Sequence, residues 1–318
     1  MPGSNQVERE QVRTQKVIIC VATFRRPEQL KLLLASLRDL AMTETRVNIE
    51  VMVVDNDANE SARSLCETAV LPWPLQYFVE PRRGIAQVRN AAVKHSAGED
   101  WVAFVDDDEI VEPQWLDNLI RAQQKFHADI VAGPVVPEYR TGVPKWFIQS
   151  GILVRHRFPT GSRPKSPGTG NVLINAEVFH KIGSFDERFG LTGGEDSEFF
   201  MRAAGAGFKI IWCDEAVAHE SIGPDRAGLA YLLCREYQDA SMLVRAEIAG
   251  SPGILKSAWR ATKAVLRIVQ GMLMLPLACF LGLPAIARAL QRISLGAGML
   301  GGLTGITFEP YRNPDSEF

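Results

Sequence analysis

The sequence predicts an α/β protein built on a doubly wound, mostly parallel, Rossmann-like sheet. Short apolar runs alternate with amphipathic helical stretches over residues 16–105. The runs are apolar at consecutive positions, which suits strands covered on both faces. Chemistry-bearing residues fall just after several of the runs, where ligands sit in such sheets. At 318 residues there is room for one large domain plus an appendage.

Residues 16–22, Lys-Val-Ile-Ile-Cys-Val-Ala, are too apolar and too short for anything but a buried strand. Pro27 fits a first helical turn. Leu30, Leu33, Leu34 and Leu37 then recur at helical spacing through residues 28–40. A strand over 49–54 leads to Asp55-Asn56-Asp57 and a helix over 60–68. A third strand, 75–79, precedes Arg82-Arg83-Gly84 and a helix over 85–95. The strand at 101–105 delivers Asp106-Asp107-Asp108. Three adjacent carboxylates repel one another and resist burial unless a cation or another partner neutralises them. Hard oxygen ligands suit Mg²⁺ or Mn²⁺, which in turn hold nucleotide phosphates. A solvated acidic turn is the plain alternative.

In the second half a Gly/Pro/Ser-rich loop at 161–170 runs into a strand over 169–174, followed by a helix over 176–182. Glu195-Asp196 stand at the head of a helix over 197–205, where the dipole favours carboxylates. A strand-like run at 208–213 and a turn precede His219.

Val17-Ile-Ile-Cys-Val-Ala-Thr-Phe-Arg-Arg-Pro27, Val53-Val-Asp-Asn56, Gly84-Ile-Ala-Gln-Val-Arg-Asn90, Phe104-Val-Asp-Asp-Asp108 and Gly193-Gly-Glu-Asp-Ser-Glu-Phe199 stand in this order. Together they resemble the family 2 glycosyltransferases of GT-A fold over residues 16–225. Length and apolar tail look most like bacterial enzymes of exopolysaccharide or other surface-glycan synthesis on lipid carriers. The resemblance implies a metal-dependent, inverting transfer from a nucleotide sugar, a UDP-sugar such as UDP-glucose, to a hydroxyl of a polyprenyl-diphosphate-linked glycan.

By the same resemblance Asp108 binds the metal and Asp106 contacts the ribose. Asp107 either orients that pair or has no part. Asp55 matches a base-contacting position; a turn aspartate capping the next helix competes with it. Asp196 corresponds to the general base and Glu195 to a supporting residue. In some GT-A enzymes a histidine at the place of His219 completes the metal site; a structural histidine is the alternative. From the residues alone, Thr23, Arg25 and Arg83 stand where they can hold uracil or phosphate oxygens. Arg26 has an equal claim. Asn90 either reaches the site or faces solvent. Trp146 and Trp212 either stack on a ligand or lie in the core.

The net charge of −2 conceals an asymmetry. Residues 248–308 hold six basic and no acidic side chains, leaving 29 basic against 37 acidic residues elsewhere. This apolar, basic segment points to an anionic membrane surface rather than to nucleic acid. Residues 268–287 are twenty uncharged positions interrupted by Pro276 and Pro284. They permit a surface-lying or re-entrant hairpin, a membrane span, or a helical appendage packed on protein. The expected organisation is a flexible terminus (1–15), a catalytic domain (16–250, nucleotide half to 110, acceptor half from 111), a membrane-associating region (251–308) and a tail (309–318). Five scattered cysteines fit reduced thiols, hence the cytoplasmic face of a bacterial inner membrane.

Two other functions compete. A nucleotidyltransferase shares the sheet and carboxylates but is expected to carry a glycine-rich phosphate loop after the first strand, and Thr23 to Pro27 contains no glycine. A non-catalytic nucleotide-sugar binder has no need of the acidic set Asp106, Asp108 and Asp196.

Overall fold

The computed structural model describes residues 14–250, 253–306, 309 and 311–312; residues 1–13 of the expected flexible terminus and most of the tail lie outside the described residues, while Gln15, expected in that terminus, opens the first strand. The first half follows the predicted alternation: β1 Gln15–Thr23, α1 Pro27–Arg38, β2 Val47–Asp55, α2 Arg63–Thr68, β3 Leu75–Val79, α3 Ile85–His95 and β4 Trp101–Asp106. Then come β5 Glu109–Val111, α4 Trp115–Phe126, β6 Ile130–Ala132, β7 Val135–Tyr139, α5 Lys145–Ser150, β8 Asn171–Asn175 and α6 Ala176–Ile182. The chain continues through α7 Glu195–Gly205, β9 Ile210–Trp212, β10 Ala218–Ile222, α8 Leu229–Gly250, α9 Ile254–Leu281 and α10 Leu283–Thr304.

Among the described residues the main sheet has the order β3-β2-β1-β4-β8-β6-β9. Its first four strands are parallel, and β8 runs antiparallel to both neighbours. Thr23 pairs with Asp55 and Ala22 with Asp106, so three strands end on one rim. A smaller sheet, β5-β10-β7, stands beside it.

Successive strand residues point to opposite faces, and both faces are covered. Val17, Ile19 and Val21 pack beneath α1 and α4 with Leu33, Leu37 and Trp115. Ile18, Cys20 and Phe104 pack against Ala86, Val88, Phe199 and Phe200 of α3 and α7. Each fully buried leucine or valine contributes about 2 kcal/mol through removal from water.

The C-terminal region forms a helical hairpin turning at Gly282, and α10 lies against both α9 and α8. Close backbone approach demands glycine here. A Cβ on Gly298 would lie 2.2 Å from the Tyr237 carbonyl oxygen, and one on Gly271 2.6 Å from that of Ala289. One arm of the hairpin is thus packed on protein. The outer arm, α9, leaves Leu266, Leu273, Leu277 and Phe280 exposed. Among the described residues α9 is the one helix long and apolar enough to cross a membrane. Helix α8 was not foreseen: its mixed faces, polar towards one side and apolar against α10, blur the helical period.

Candidate active site

The acidic run at the end of β4 is not a solvated turn, because each carboxylate has its own partner. Thr23 donates its hydroxyl to Asp107 Oδ2 at 2.7 Å. Arg26 Nη1 lies 3.5 Å from Asp107 Oδ1 and 3.3 Å from Asp108 Oδ2. Arg226, in the short turn after β10, donates to Asp108 Oδ2 at 2.7 Å. Arg89 Nη2 donates to Asp106 Oδ1 at 3.1 Å. Burial, with Asp108 adjacent, pushes the Asp107 carboxyl up to about 7. Burial acts upward on Asp108 as well, but the Arg226 and Arg26 guanidiniums outweigh it and hold that carboxyl below the usual range. Glu109 is buried below them and accepts from the Asp106 amide at 3.2 Å. Burial and its acidic neighbours raise it well above an ordinary glutamate.

On the donor side, Asn56 bridges β2 to the loop before α3, donating to the Glu80 and Arg82 carbonyls and accepting from the Gly84 amide. Arg83 stacks on the Phe24 ring at 3.4 Å and donates to the Asn56 and Tyr311 carbonyls. Its Nε is buried without a partner, a polar group for a ligand to satisfy. Arg25 is held by Asp57 at 3.1 Å in the left-handed region, at φ 52, a sparsely populated backbone state for a residue with a side chain.

Across the cleft, Gly193 and Gly194 adopt φ of 78 and 94, and added Cβ atoms there would strike Met242 of α8. They deliver Glu195 and Asp196 to the first turn of α7. Glu195 is buried and ion-paired with Arg89 Nη1. Burial pushes it up to about 7, with Arg89 opposing and Asp196 adding to the rise. Asp196 Oδ1 accepts from the Ser197 amide at 2.6 Å.

Thr23, Arg25, Arg83, Asp106, Asp107, Asp108, Glu195 and Asp196 line one cleft of about 980 Å³. Three expected residues do not. Asp55 is fully buried beneath the rim, its oxygens taken by the Asp57 and Ala62 amides and the Tyr77 hydroxyl. Asn90 neither reaches the site nor faces solvent freely, because its amide exchanges two bonds with the Phe185 main chain at 2.9 Å each. His219 is turned away on β10, within 3.2 Å of Glu112 and 3.0 Å of Glu138, while the next residue, Glu220, faces the cleft. Trp146 and Trp212 pack on Phe147 and Phe158.

Sequence reasoning missed Arg89, Arg226, the α8 residues and Tyr311. Arg89 carried a usable signal: it shares the buried face of α3 with Ala86, Val88 and Ala92. A charge on an apolar helix face needs a partner.

The cleft is lined by seven arginines and nine carboxylates. Among the described residues no three His, Cys, Asp or Glu side chains converge into a ready cation cage. Asp106 nonetheless fits a hard divalent ion that also takes ligand oxygens and water, since it is 43% exposed to the cleft and engages Arg89 through Oδ1; Asp108 joins it only where an ion displaces Arg226 and Arg26 from Oδ2. Imidazole from His219 is not part of that donor set.

Residues 18–184 match the family described as glycosyl transferase family 2. The chain is 32% identical over 311 residues to the succinoglycan biosynthesis protein ExoM of Rhizobium meliloti (strain 1021), covering 92% of this chain and 94% of that protein. It is 28% identical over 242 residues to the O-antigen biosynthesis protein RfbC of Myxococcus xanthus, covering 65% of this chain but 18% of that larger protein. In fold it resembles S. aureus TarS 1-349, solved in complex with UDP, with a TM-score of 0.51 at 17% identity and 92% of each chain covered. The ordered motifs, the GT-A-like sheet and these matches agree: the chain belongs to glycosyl transferase family 2 and is a glycosyltransferase.

Proposed function

We propose that this enzyme moves a sugar from a UDP-sugar to a hydroxyl of a lipid-linked glycan in exopolysaccharide or surface-glycan synthesis, with inversion at the anomeric carbon. The observation that carries this is the convergence of Asp106 and Asp108 from β4 with Asp196 from α7 on one cleft. Asp196 takes the proton of the attacking hydroxyl. That oxygen bonds to the anomeric carbon from the face opposite the diphosphate, and the electrons of the breaking bond leave on the phosphate oxygen. Arg83, whose Nε has no partner among the described residues, and Arg25 stand where they can hold base and phosphate. Asp106 and Asp108 would hold Mg²⁺ or Mn²⁺, which would neutralise charge on the leaving diphosphate.

The relatives' names support the glycan assignment, since succinoglycan and O-antigen are named for those proteins. The exposed apolar face of α9 and the basic character of residues 248–308 support work at an anionic membrane surface, on the cytoplasmic side of a bacterial inner membrane.

The test is thermal stabilisation of the purified protein by nucleoside diphosphates and nucleotide sugars, with Mn²⁺, Mg²⁺ or EDTA. A shift given by UDP and one UDP-sugar, and lost in EDTA, is expected. No shift from any nucleotide would overturn the donor assignment.

A further inference from the structure

The cleft extends past the donor residues along α8. That helix presents Tyr231, Cys234, Arg235, Gln238, Asp239 and Met242 to it at helical spacing. Arg235 Nη1 lies 3.4 Å from both Glu220 Oε1 and the Tyr231 hydroxyl. Arg155 Nη2 lies 3.3 Å from Glu220 Oε2. Asp239 is open to the cleft, with Arg235, Arg155, Asp196 and Glu220 as its charged neighbours. It accepts no hydrogen bond among the described residues. Asp196 apart, none of these groups is used by the transfer step itself.

Their chemistry defines a ligand. Two guanidiniums, Arg235 and Arg155, face two carboxylates, Glu220 and Asp239, so this end is electrically balanced. A further anionic group would meet Asp239 and Glu220 with both guanidiniums already matched. A sugar ring offers hydroxyls that both donate and accept, which matches alternating carboxylate, guanidinium and amide groups. We propose that Asp239, Arg235 and Gln238, with Arg155, form an acceptor subsite that selects an uncharged sugar, Asp239 accepting from its hydroxyls. The proposal rests on Asp196 receiving the acceptor's proton and names what holds the ring beside it. It makes α8 a specificity element, fixed from behind by the close contact with α10.

Cys234 lies within the stripe and reports on it. Cys20, Cys66 and Cys213 are buried, so in a Cys279→Ser background a maleimide reads Cys234. The full chain, with UDP and Mn²⁺ present, is alkylated with methyl β-glucoside, methyl β-galactoside or methyl β-glucuronide. Each is used at about 100 mM, well above millimolar dissociation constants. At least one neutral glycoside is expected to slow alkylation about fivefold or more, the occupancy such an excess gives. The anionic glucuronide is expected to leave the rate unchanged. Asp239→Ala should abolish the protection and Asp239→Asn, which keeps an acceptor oxygen, should retain part of it. Stabilisation by UDP should be the same in both. If UDP stabilises the protein but no neutral glycoside protects Cys234, or if Asp239→Ala is protected as well as the parent, the subsite is wrong. If UDP itself fails to stabilise, the donor reading fails first and takes this proposal with it.

Discussion

Arg89 and Glu195 form a buried ion pair that ties α3 to α7. The other arm of the same guanidinium holds Asp106. The two walls of the cleft are therefore tied together by one side chain.

That pair has a consequence for stability against pH. Glu195 and Asp107 each have the carboxyl pushed up to about 7, mainly by burial. Ordinary carboxyls titrate near 4. Between about 4 and 7 the folded protein therefore binds more protons at these sites than the unfolded chain, and stability falls as pH rises through that window. Glu195→Gln is expected to flatten part of this slope, and adding Asp107→Asn to flatten more, in urea unfolding followed from pH 5 to 7.5. An unchanged slope in the double variant would contradict the assignment.

Asp196→Asn tests the base. The substitution keeps size and the contact to the Ser197 amide through its side-chain oxygen. UDP affinity should stay within a few fold, while turnover of the UDP-sugar falls about 10²-fold or more, the scale of general-base loss. Loss of nucleotide binding instead would place Asp196 in the donor site.

Asp108→Asn tests the cation. Arg226 and Arg26 keep the native carboxylate ionised despite its burial. Without its charge, stabilisation by UDP should no longer differ between Mn²⁺ and EDTA. A difference as large as in the parent protein would remove Asp108 from the cation site.

The rim was legible in the sequence because strand order and register are set by local patterns: apolar runs end at Thr23, Asp55 and Asp106, and parallel pairing brings those ends level. What each side chain then does was less legible. Asp55 and Asn56 are both buried but lie to different sides, Asp55 under the turn and Asn56 against the floor of the cleft, because a strand end alternates its faces. The same alternation sends Glu220, not His219, to the site. Asn90 and Arg89 exchange roles by one step of helix, about 100° of rotation. Arg226, Asp239 and Tyr311 come from segments far along the chain, which local pattern cannot join to β4.

The outer face of α9 gives the last prediction. Leu273 and Phe280 are 75% and 87% exposed, although large apolar side chains on a soluble surface are seldom clustered so. Deleting the chain from Gly253 onward is a poor test of membrane binding. It also removes α10, which covers Ala240 and Val244 of α8, and Tyr311, which accepts from Arg83. Such a truncation should lower Tm by roughly 5 °C or more through lost core packing. Leu273→Glu with Phe280→Glu touches neither contact. That double variant should keep Tm within about 2 °C, since exposed substitutions cost little. It should nevertheless stop sedimenting with vesicles containing anionic lipid, because charge on an inserting face opposes burial in the acyl boundary. Undiminished sedimentation would mean that another surface, not this face of α9, meets the lipid.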